Sequence, residues 1–167
     1  QTMALVDDDF TLETRAYFTA NPAAGGSSMI SQWWAGGSVR GFHFSVSDSN
    51  ELEFDWSTDG VNDFRVFTAF TPTLYTWYDL AVVRSGASVF LFVDGVVQVN
   101  DGASDAIGAD VIANPFRSWI LGHANDTAGL YYFAGNMQNI AWTRSAKWTT
   151  TYTPPAALYT PPALPNF

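Results

Sequence analysis

The chain has 167 residues, a formal net charge of −9 at pH 7 and no cysteine. Its length fits one domain, and its content of 47% hydrophobic and 16% aromatic residues predicts a globular fold rather than a disordered chain. The acidic charge argues against nucleic acid as a partner because phosphate backbones would be repelled, and the missing cysteines exclude disulfides and thiolate zinc sites.

The first predicted strand covers residues 10–18, where apolar and polar residues alternate. Phe10, Leu12, Ala16 and Phe18 share one face, and most residues of the other face are polar. This period of two is typical of a strand with one solvated face. A loop rich in Gly, Pro, Ala and Ser follows at 21–28, and a short apolar segment then covers residues 29–34.

Residues 41–57 predict a β-hairpin with a defined register. Apolar residues alternate on both arms, and the two apolar sets face each other only if the loop has an odd number of residues. We therefore predict a three-residue loop, Asp48-Ser49-Asn50. The resulting cross-strand pairs are Phe44 with Phe54, Phe42 with Trp56, His43 with Asp55, and Ser45 with Glu53.

Residues 77–100 predict three consecutive antiparallel strands. Two apolar runs, 77–84 and 88–94, are joined by a short connection at 85–87, and Asp94-Gly95 leads into a third run at 96–100. Asp-Gly between β-branched residues is typical of a two-residue I′ turn, in which both central residues need positive φ. The middle run is apolar on both faces, so we expect this strand to be buried on both sides.

Further strands are predicted at 64–71, 117–122 and 130–143, the last with a break near Gly135-Asn136. No segment carries an apolar stripe with the helical period over more than two turns. Short strands at regular spacing, separated by turn residues, predict an all-β fold: an antiparallel two-sheet β-sandwich or jelly roll.

A proline-rich tail at 152–167 follows the domain predicted for residues 1–151. The sequence YTPPAALYTPPALP at 152–165 repeats a seven-residue unit, and its paired prolines are incompatible with a helix or a central strand. We predict an extended, polyproline-like arm. Two interpretations stay open: a linker or terminal strap, and an arm that docks on a neighbouring subunit.

Six segments of the chain carry a resemblance to a known family. They are DDFTLETRAYF at 8–18, ISQWW at 30–34, LEFDWSTDG at 52–60, TWYDLAVVRSGASVFLFVDGVVQ at 76–98, WILGHAN at 119–125 and YYFAGNMQNIAWTRSAKWTTTYTPP at 131–155. In their order and spacing they resemble the laminin-G-like branch of the concanavalin A-like jelly-roll superfamily, most of all its versions in bacteriophage and other viral fibre and decoration proteins. The resemblance implies one convex and one concave sheet, with ligands bound by loops at the concave rim.

Three carboxylates, Glu51, Glu53 and Asp55, alternate along one predicted strand and therefore share a face. The resemblance implies one role for them, since related jelly-roll glucanases use alternating strand carboxylates as nucleophile and general acid. Those enzymes have the order Glu-x-Asp-x-Glu, whereas this chain has Glu-x-Glu-x-Asp. We favour the other interpretation, a solvated hairpin face on which His43 lies opposite Asp55, and we predict no catalytic residue.

Two sets of residues are predicted as sites. Asp59, Asn62 and Asp63 are candidate metal ligands, because loop carboxylates and amides supply the oxygens that calcium prefers, although the same residue types also form turns. Calcium is the one cofactor that the sequence leaves open. The candidate ligand-binding residues are Trp33, Trp34, His123, Asn125 and Asp126. Adjacent residues of an extended segment point to opposite faces, so one tryptophan should join the core, and the other should serve as a stacking platform for a sugar or as a contact for a partner protein.

The resemblance predicts a non-enzymatic module of a virion, either a capsid-decorating protein or part of a fibre. Its expected partners are other virion proteins or further copies of the chain, with cell-surface glycans as a further ligand, and its expected location is the particle surface. The alternatives are a free lectin-like carbohydrate-binding module and, less favoured, a glycoside hydrolase. No apolar run is long enough for membrane insertion, and no signal peptide is recognisable. The start at Gln1 fits a processed product or a fragment.

Overall fold

The computed structural model describes residues 5, 7–23, 25–34, 39–100, 106–124 and 131–154. In these residues the fold is all-β, and they include no helix that is long and apolar enough to cross a membrane. The strands are β1 (Phe10–Phe18), β2 (Ser27–Trp34), β3 (Val39–Val46), β4 (Glu51–Trp56), β5 (Phe64–Ala69), β6 (Trp77–Ser85), β7 (Ser88–Val93), β8 (Val96–Val97), β9 (Ile120–Leu121) and β10 (Gly135–Thr143).

The strands form two antiparallel five-stranded sheets, which confirms the predicted β-sandwich. The first sheet has the order β10-β1-β6-β7-β8, and the second has the order β5-β4-β3-β2-β9. Every strand pair is antiparallel. Each sheet turns its apolar alternate residues towards the other, and the largest side chains of the resulting core are Trp56, Phe10, Phe18, Phe42, Phe44 and Phe54.

The hairpin predicted for residues 41–57 has the predicted register. Phe44 lies opposite Phe54, and His43 lies opposite Asp55. The Ser47 amide donates to the Glu51 carbonyl, which leaves the three-residue loop Asp48-Ser49-Asn50. This register places Phe42, Phe44 and Phe54 in the core, so the polar partners of both strands lie together on the outer face of the second sheet.

The three-stranded segment at 77–100 also folds as predicted. Asp94 and Gly95 have φ values of 50° and 77°, as the two central residues of an I′ turn require. Strand β7 is covered on both faces: Leu91 joins the main core, and Phe92 belongs to a second apolar cluster. That second cluster is completed by Trp148 and Tyr152, which pack against the outer face of the first sheet.

Several strands are shorter than predicted, because side chains or loops take over the pairing. The third run of 77–100 ends as a strand at Val97, and the Asn100 side chain donates to the Val89 carbonyl where a backbone pair was expected. The strand predicted at 117–122 covers only Ile120–Leu121. Before it, the Gln32 side chain donates to the carbonyl of Arg117.

The break predicted near Gly135-Asn136 coincides with the start of the last strand, since residues 131–134 are not part of a strand. Strand β10 begins at Gly135, and its register against β1 shifts between Gln138 and Ala141. Asn139 has a φ of 53° at this shift, as the extra residue of a β-bulge can have. Asparagine tolerates this left-handed conformation better than most residues do.

Candidate functional site

A polar groove of about 440 Å³ lies on the outer face of the second sheet. Strands β2 to β5 supply its floor, and the loop after β3 supplies one end. Its lining combines carboxylates, one histidine, one arginine and two aromatic rings. The lining residues are Gly25, Trp33, His43, Ser47, Asp48, Ser49, Glu51, Glu53, Asp55, Asp63, Arg65 and Tyr131.

Three side chains meet at the centre of this floor. His43 and Asp55 are directly opposite each other on β3 and β4, and their Nδ1 and Oδ2 atoms are 3.4 Å apart. Glu53 lies two residues before Asp55 on the same face. One ligand atom from each of the three residues lies within 4.8 Å of the others. We call this set the His43–Glu53–Asp55 cluster.

The expectation that this hairpin face is solvated is wrong for the cluster. Glu53 and Asp55 are only 7% and 9% exposed, and His43 is 3% exposed. The walls explain the burial, because Trp33 and Tyr131 pack against the His43 ring. The alternating pattern of carboxylates in the sequence is the same for an exposed strand face and for one that aromatic side chains of other segments cover.

Burial changes the acidity of Glu53. It raises the pKa of this carboxyl from 4.5 to about 8, and the negative charge of Asp55 adds to the rise. The Ser45 hydroxyl donates to Glu53 Oε1 at 2.8 Å and acts in the opposite direction, as does the guanidinium of Arg65. Burial beside Asp55 therefore favours the protonated form of Glu53 at pH 7.

Arg65 is the cation of this groove that faces the carboxylates. Its Nη1 lies 3.7 Å from Glu51 Oε2 and 3.6 Å from Glu53 Oε2, and its guanidinium also lies over the ring of Phe67. The side chain is half exposed, so solvent screens these ion pairs and each contributes little to stability. Arg65 thus remains accessible to a ligand in the groove.

The two predicted tryptophans differ in exposure, but the buried one lies at the groove and not in the core between the sheets. Trp33 is buried at the groove wall, with the Arg40 guanidinium over its ring and His43 beside it. Trp34 is partly exposed, and the Arg117 guanidinium lies over its ring. The groove is lined by Trp33, the buried member of the pair.

The predicted metal ligands Asp59, Asn62 and Asp63 share a loop whose hydrogen bonds are largely internal. Asp59 Oδ1 accepts from the amides of Val61 and Asn62 at 2.8 Å each, and Asp59 Oδ2 accepts from the Asn62 side chain. Asp63 pairs with Arg40 at 2.5 Å. This arrangement fits the turn interpretation, and calcium binding by these residues stays a prediction.

The remaining predicted ligand residues lie beside the groove or outside the described chain. The His123 carbonyl accepts from the Ser31 hydroxyl on β2, and the His123 ring stacks on Tyr132 with a centroid distance of 4.3 Å. His123 does not line the groove. Asn125 and Asp126 fall outside the described residues, so their role stays a prediction.

The sequence comparison places the chain in a family. The family described as the concanavalin A-like lectin/glucanases superfamily matches residues 2–148. The chain belongs to this superfamily. A search of curated proteins finds no significant relative.

Solved structures with the same fold are distant in sequence. A candidate carbohydrate-binding protein from Bacteroides ovatus has a TM-score of 0.65 at 15% identity, over 88% of this chain and 40% of that one. The CBM40 of a Ruminococcus gnavus sialidase, bound to α2,3-sialyllactose, has a TM-score of 0.60 at 15% identity, over 86% and 78% of the two chains. Domain 4 of an arabinanase from Geobacillus stearothermophilus, in complex with arabinotriose, has a TM-score of 0.54 at 12% identity, over 86% and 64%. This chain therefore spans less than half of the first of these proteins.

Sequence reasoning recognised the cluster residues and gave them the wrong surroundings. The register placed His43 opposite Asp55 and Ser45 opposite Glu53, as observed. Two other residues of the groove, Arg65 and Tyr131, were not identified as site residues. The position of Arg65 opposite Asp55 could have been read from the β4–β5 register, but no sequence pattern places Tyr131 against His43.

Proposed function

We propose that this chain is a non-catalytic carbohydrate-binding module that holds a glycan in the groove of the second sheet. The observation that carries the proposal is the combination of aromatic rings and convergent polar groups in one concave surface. Trp33 and Tyr131 supply apolar ring surface, and Arg65, Glu51 and Asp55 supply hydrogen-bonding groups. Sites for small ligands combine these features. The superfamily and the carbohydrate-binding neighbours support the same function.

The charge of the groove favours a neutral glycan. The carboxylates of Asp48, Glu51 and Asp55 line it, and Arg65 is the facing cation. A sialic acid or uronic acid carboxylate would meet these acids without enough positive charge to offset their repulsion. The chain thus differs from its CBM40 neighbour, whose structure contains sialyllactose.

A glycan array followed by calorimetry tests the proposal. We expect the full chain to bind neutral oligosaccharides and to ignore sialylated ones. Arg65→Ala and Glu51→Gln should each weaken binding at least ~10-fold, because each removes a hydrogen-bonding group of the groove. Glu13→Gln is the matched control, since Glu13 pairs with Lys147, and its strand belongs to the first sheet. Silence on the array, or equal loss in the control, would refute the proposal.

One observation favours a second candidate, a glycoside hydrolase. A buried carboxyl with a raised pKa beside another carboxylate is the pattern of a general acid and its partner, and Glu53 and Asp55 form such a pair. The geometry is less favourable, because Ser45 occupies Oε1 of Glu53 and Arg65 approaches Oε2, where it opposes protonation. Release of reducing sugar from a polysaccharide panel, abolished by Glu53→Gln, would support the enzyme over the binding module.

The biological setting of this module is a separate proposal. The resemblance to viral fibre and decoration proteins supports a place on a virion surface, with virion proteins or further copies of the chain as partners. The assembly state tests it. A trimer, or a capsid-bound array in which residues 152–167 contact a neighbour, would support the virion setting, and a monomer that does not bind particles would count against it.

A further inference from the structure

The His43–Glu53–Asp55 cluster has the composition of a divalent cation site. One imidazole and two carboxylates offer one ligand atom each, all within 4.8 Å of one another. A tetrahedral ion with bonds of about 2.1 Å places its ligands about 3.4 Å apart. The distance of 3.4 Å between His43 Nδ1 and Asp55 Oδ2 already has this value. From separations of at most 4.8 Å, a shift of the Glu53 carboxylate by no more than about 1.4 Å would complete the set.

The surroundings of the His43 ring are compatible with coordination through Nδ1. The residue is 3% exposed, and its Nε2 is buried without a hydrogen-bond partner. Neutral imidazole carries one N–H and one lone pair, so the ring needs two partners, and the structure supplies only Asp55. An ion on Nδ1 would leave the ring proton on Nε2, from which a metal-bound imidazole ordinarily donates to an outer partner such as a water molecule.

The charge balance points the same way. Glu53 and Asp55 are buried next to each other, and Glu51 adds a third carboxylate at the edge. Arg65 offsets part of this charge from a half-exposed position. With both carboxyl groups ionised, a divalent cation between them would neutralise the negative charge that Arg65 leaves over.

We propose that His43, Glu53 and Asp55 bind one divalent cation of the zinc class at the floor of the groove. The imidazole selects for this class over calcium and magnesium, which prefer a shell made only of oxygen atoms. With three protein ligands, a tetrahedral ion keeps one open position. If the groove binds glycans as proposed above, that position faces the glycan and can take a sugar hydroxyl.

Titration of the EDTA-treated, dialysed full chain with Zn²⁺ alone tests the site without any sugar. The protein is prepared without a histidine tag. We expect saturable binding of one ion per chain, a rise in Tm on binding, and a visible absorption spectrum of four-coordinate Co²⁺ after substitution. Ca²⁺ at the same concentration should produce neither the Tm rise nor competition.

Variants assign the ion to the cluster. His43→Gln and Glu53→Gln should each weaken Zn²⁺ binding by ~100-fold or more, because each removes a direct ligand, and even outer-shell changes cost 10- to 100-fold. His123→Gln is the matched control, because His123 does not line the groove and its ring stacks on Tyr132. Should His43→Gln fail to fold, Glu53→Gln decides, since we expect that variant to be more stable than the parent.

Three outcomes would overturn the site: no saturable Zn²⁺ binding, binding of Ca²⁺ in its place, or Zn²⁺ binding that Glu53→Gln leaves within about 2-fold of the parent. A failed titration with intact glycan binding would remove the cation and leave the proposed function standing. Zn²⁺ binding by a chain that binds no glycan would leave the cation site standing and remove the proposed function.

Discussion

Trp148 and Tyr152 stack face to face, with ring centroids 3.7 Å apart and planes that differ by 2°. The Tyr152 ring also meets Phe92 edge-on at 5.4 Å, and the Tyr152 amide donates to the carbonyl of Gly95. The first residue of the predicted proline-rich arm is therefore fixed to the outer face of the first sheet. Residues 155–167 of that arm lie outside the described chain, so both interpretations of the arm stay predictions.

Tyr152→Ala should destabilise the fold by about 2–4 kcal/mol, because it removes the stacking partner of Trp148 and uncovers Phe92. Chemical unfolding followed by tryptophan fluorescence measures the change. Tyr75→Ala is the control: Tyr75 is 66% exposed, and we expect its loss to cost less than about 1 kcal/mol. Equal effects at both positions would show that the stack does not hold the segment.

Gly95→Ala should cost more than about 2 kcal/mol, because an added Cβ would lie 2.1 Å from the carbonyl oxygen of Tyr152. The backbone φ of 77° adds strain for any residue with a side chain. Gly86→Ala separates the two causes. Gly86 also has a positive φ, 57°, but a Cβ there meets nothing within 4 Å, so only the strain of about 1 kcal/mol should appear.

Asp59→Ala should lower the Tm at pH 7, and the loss should shrink as the medium becomes acidic. Hydrogen bonds from the Val61 and Asn62 amides hold the pKa of Asp59 well below its ordinary value. A carboxyl with a depressed folded pKa stabilises the protein above its unfolded pKa of about 4, and this stability is lost as the pH falls towards the folded pKa. Thermal unfolding of parent and variant from pH 7 to pH 2 measures the gap, and a gap independent of pH would contradict the assignment.

Glu53→Gln should stabilise the metal-free protein at pH 7, by about 1–3 kcal/mol. Folding of the parent must either bury the Glu53 charge beside Asp55 or take up a proton, and glutamine avoids both while it keeps an oxygen for the Ser45 hydroxyl. Urea unfolding in EDTA measures the difference. Glu51→Gln, at a half-buried position of the same strand, is the control and should change stability by less than about 0.5 kcal/mol. Destabilisation by Glu53→Gln would show that the charged form is the one the fold needs.

Local rules were sufficient for much of the fold. The period of two predicted β1, and the loop parity around Asp48-Ser49-Asn50 predicted the β3–β4 register residue by residue. The Asp94-Gly95 turn followed from φ requirements alone. Strand ends were less predictable, because the side-chain amides of Asn100 and Gln32 form hydrogen bonds to backbone carbonyls where backbone pairing was expected.

The candidate site shows the same division. Sequence placed His43 and Asp55 opposite each other, since cross-strand neighbours follow from register. The sequence pattern predicted a solvated surface for both residues. It gives no sign that Trp33 and Tyr131 pack against the His43 ring, and Tyr131 follows His43 by almost ninety residues. Burial is a property of the assembled layers, and the raised pKa of Glu53 depends on it.

By itself the sequence determined an antiparallel β-sandwich, the pairing of its central hairpins and the sharing of one sheet face by His43, Glu53 and Asp55. These depend on side-chain alternation and turn geometry, which act over a few residues. Only the tertiary structure decided that this face is a walled groove and that Tyr152 stacks on Trp148. Both depend on packing between segments that are far apart in the chain, and the periodicity of a segment does not predict which distant segment packs against it.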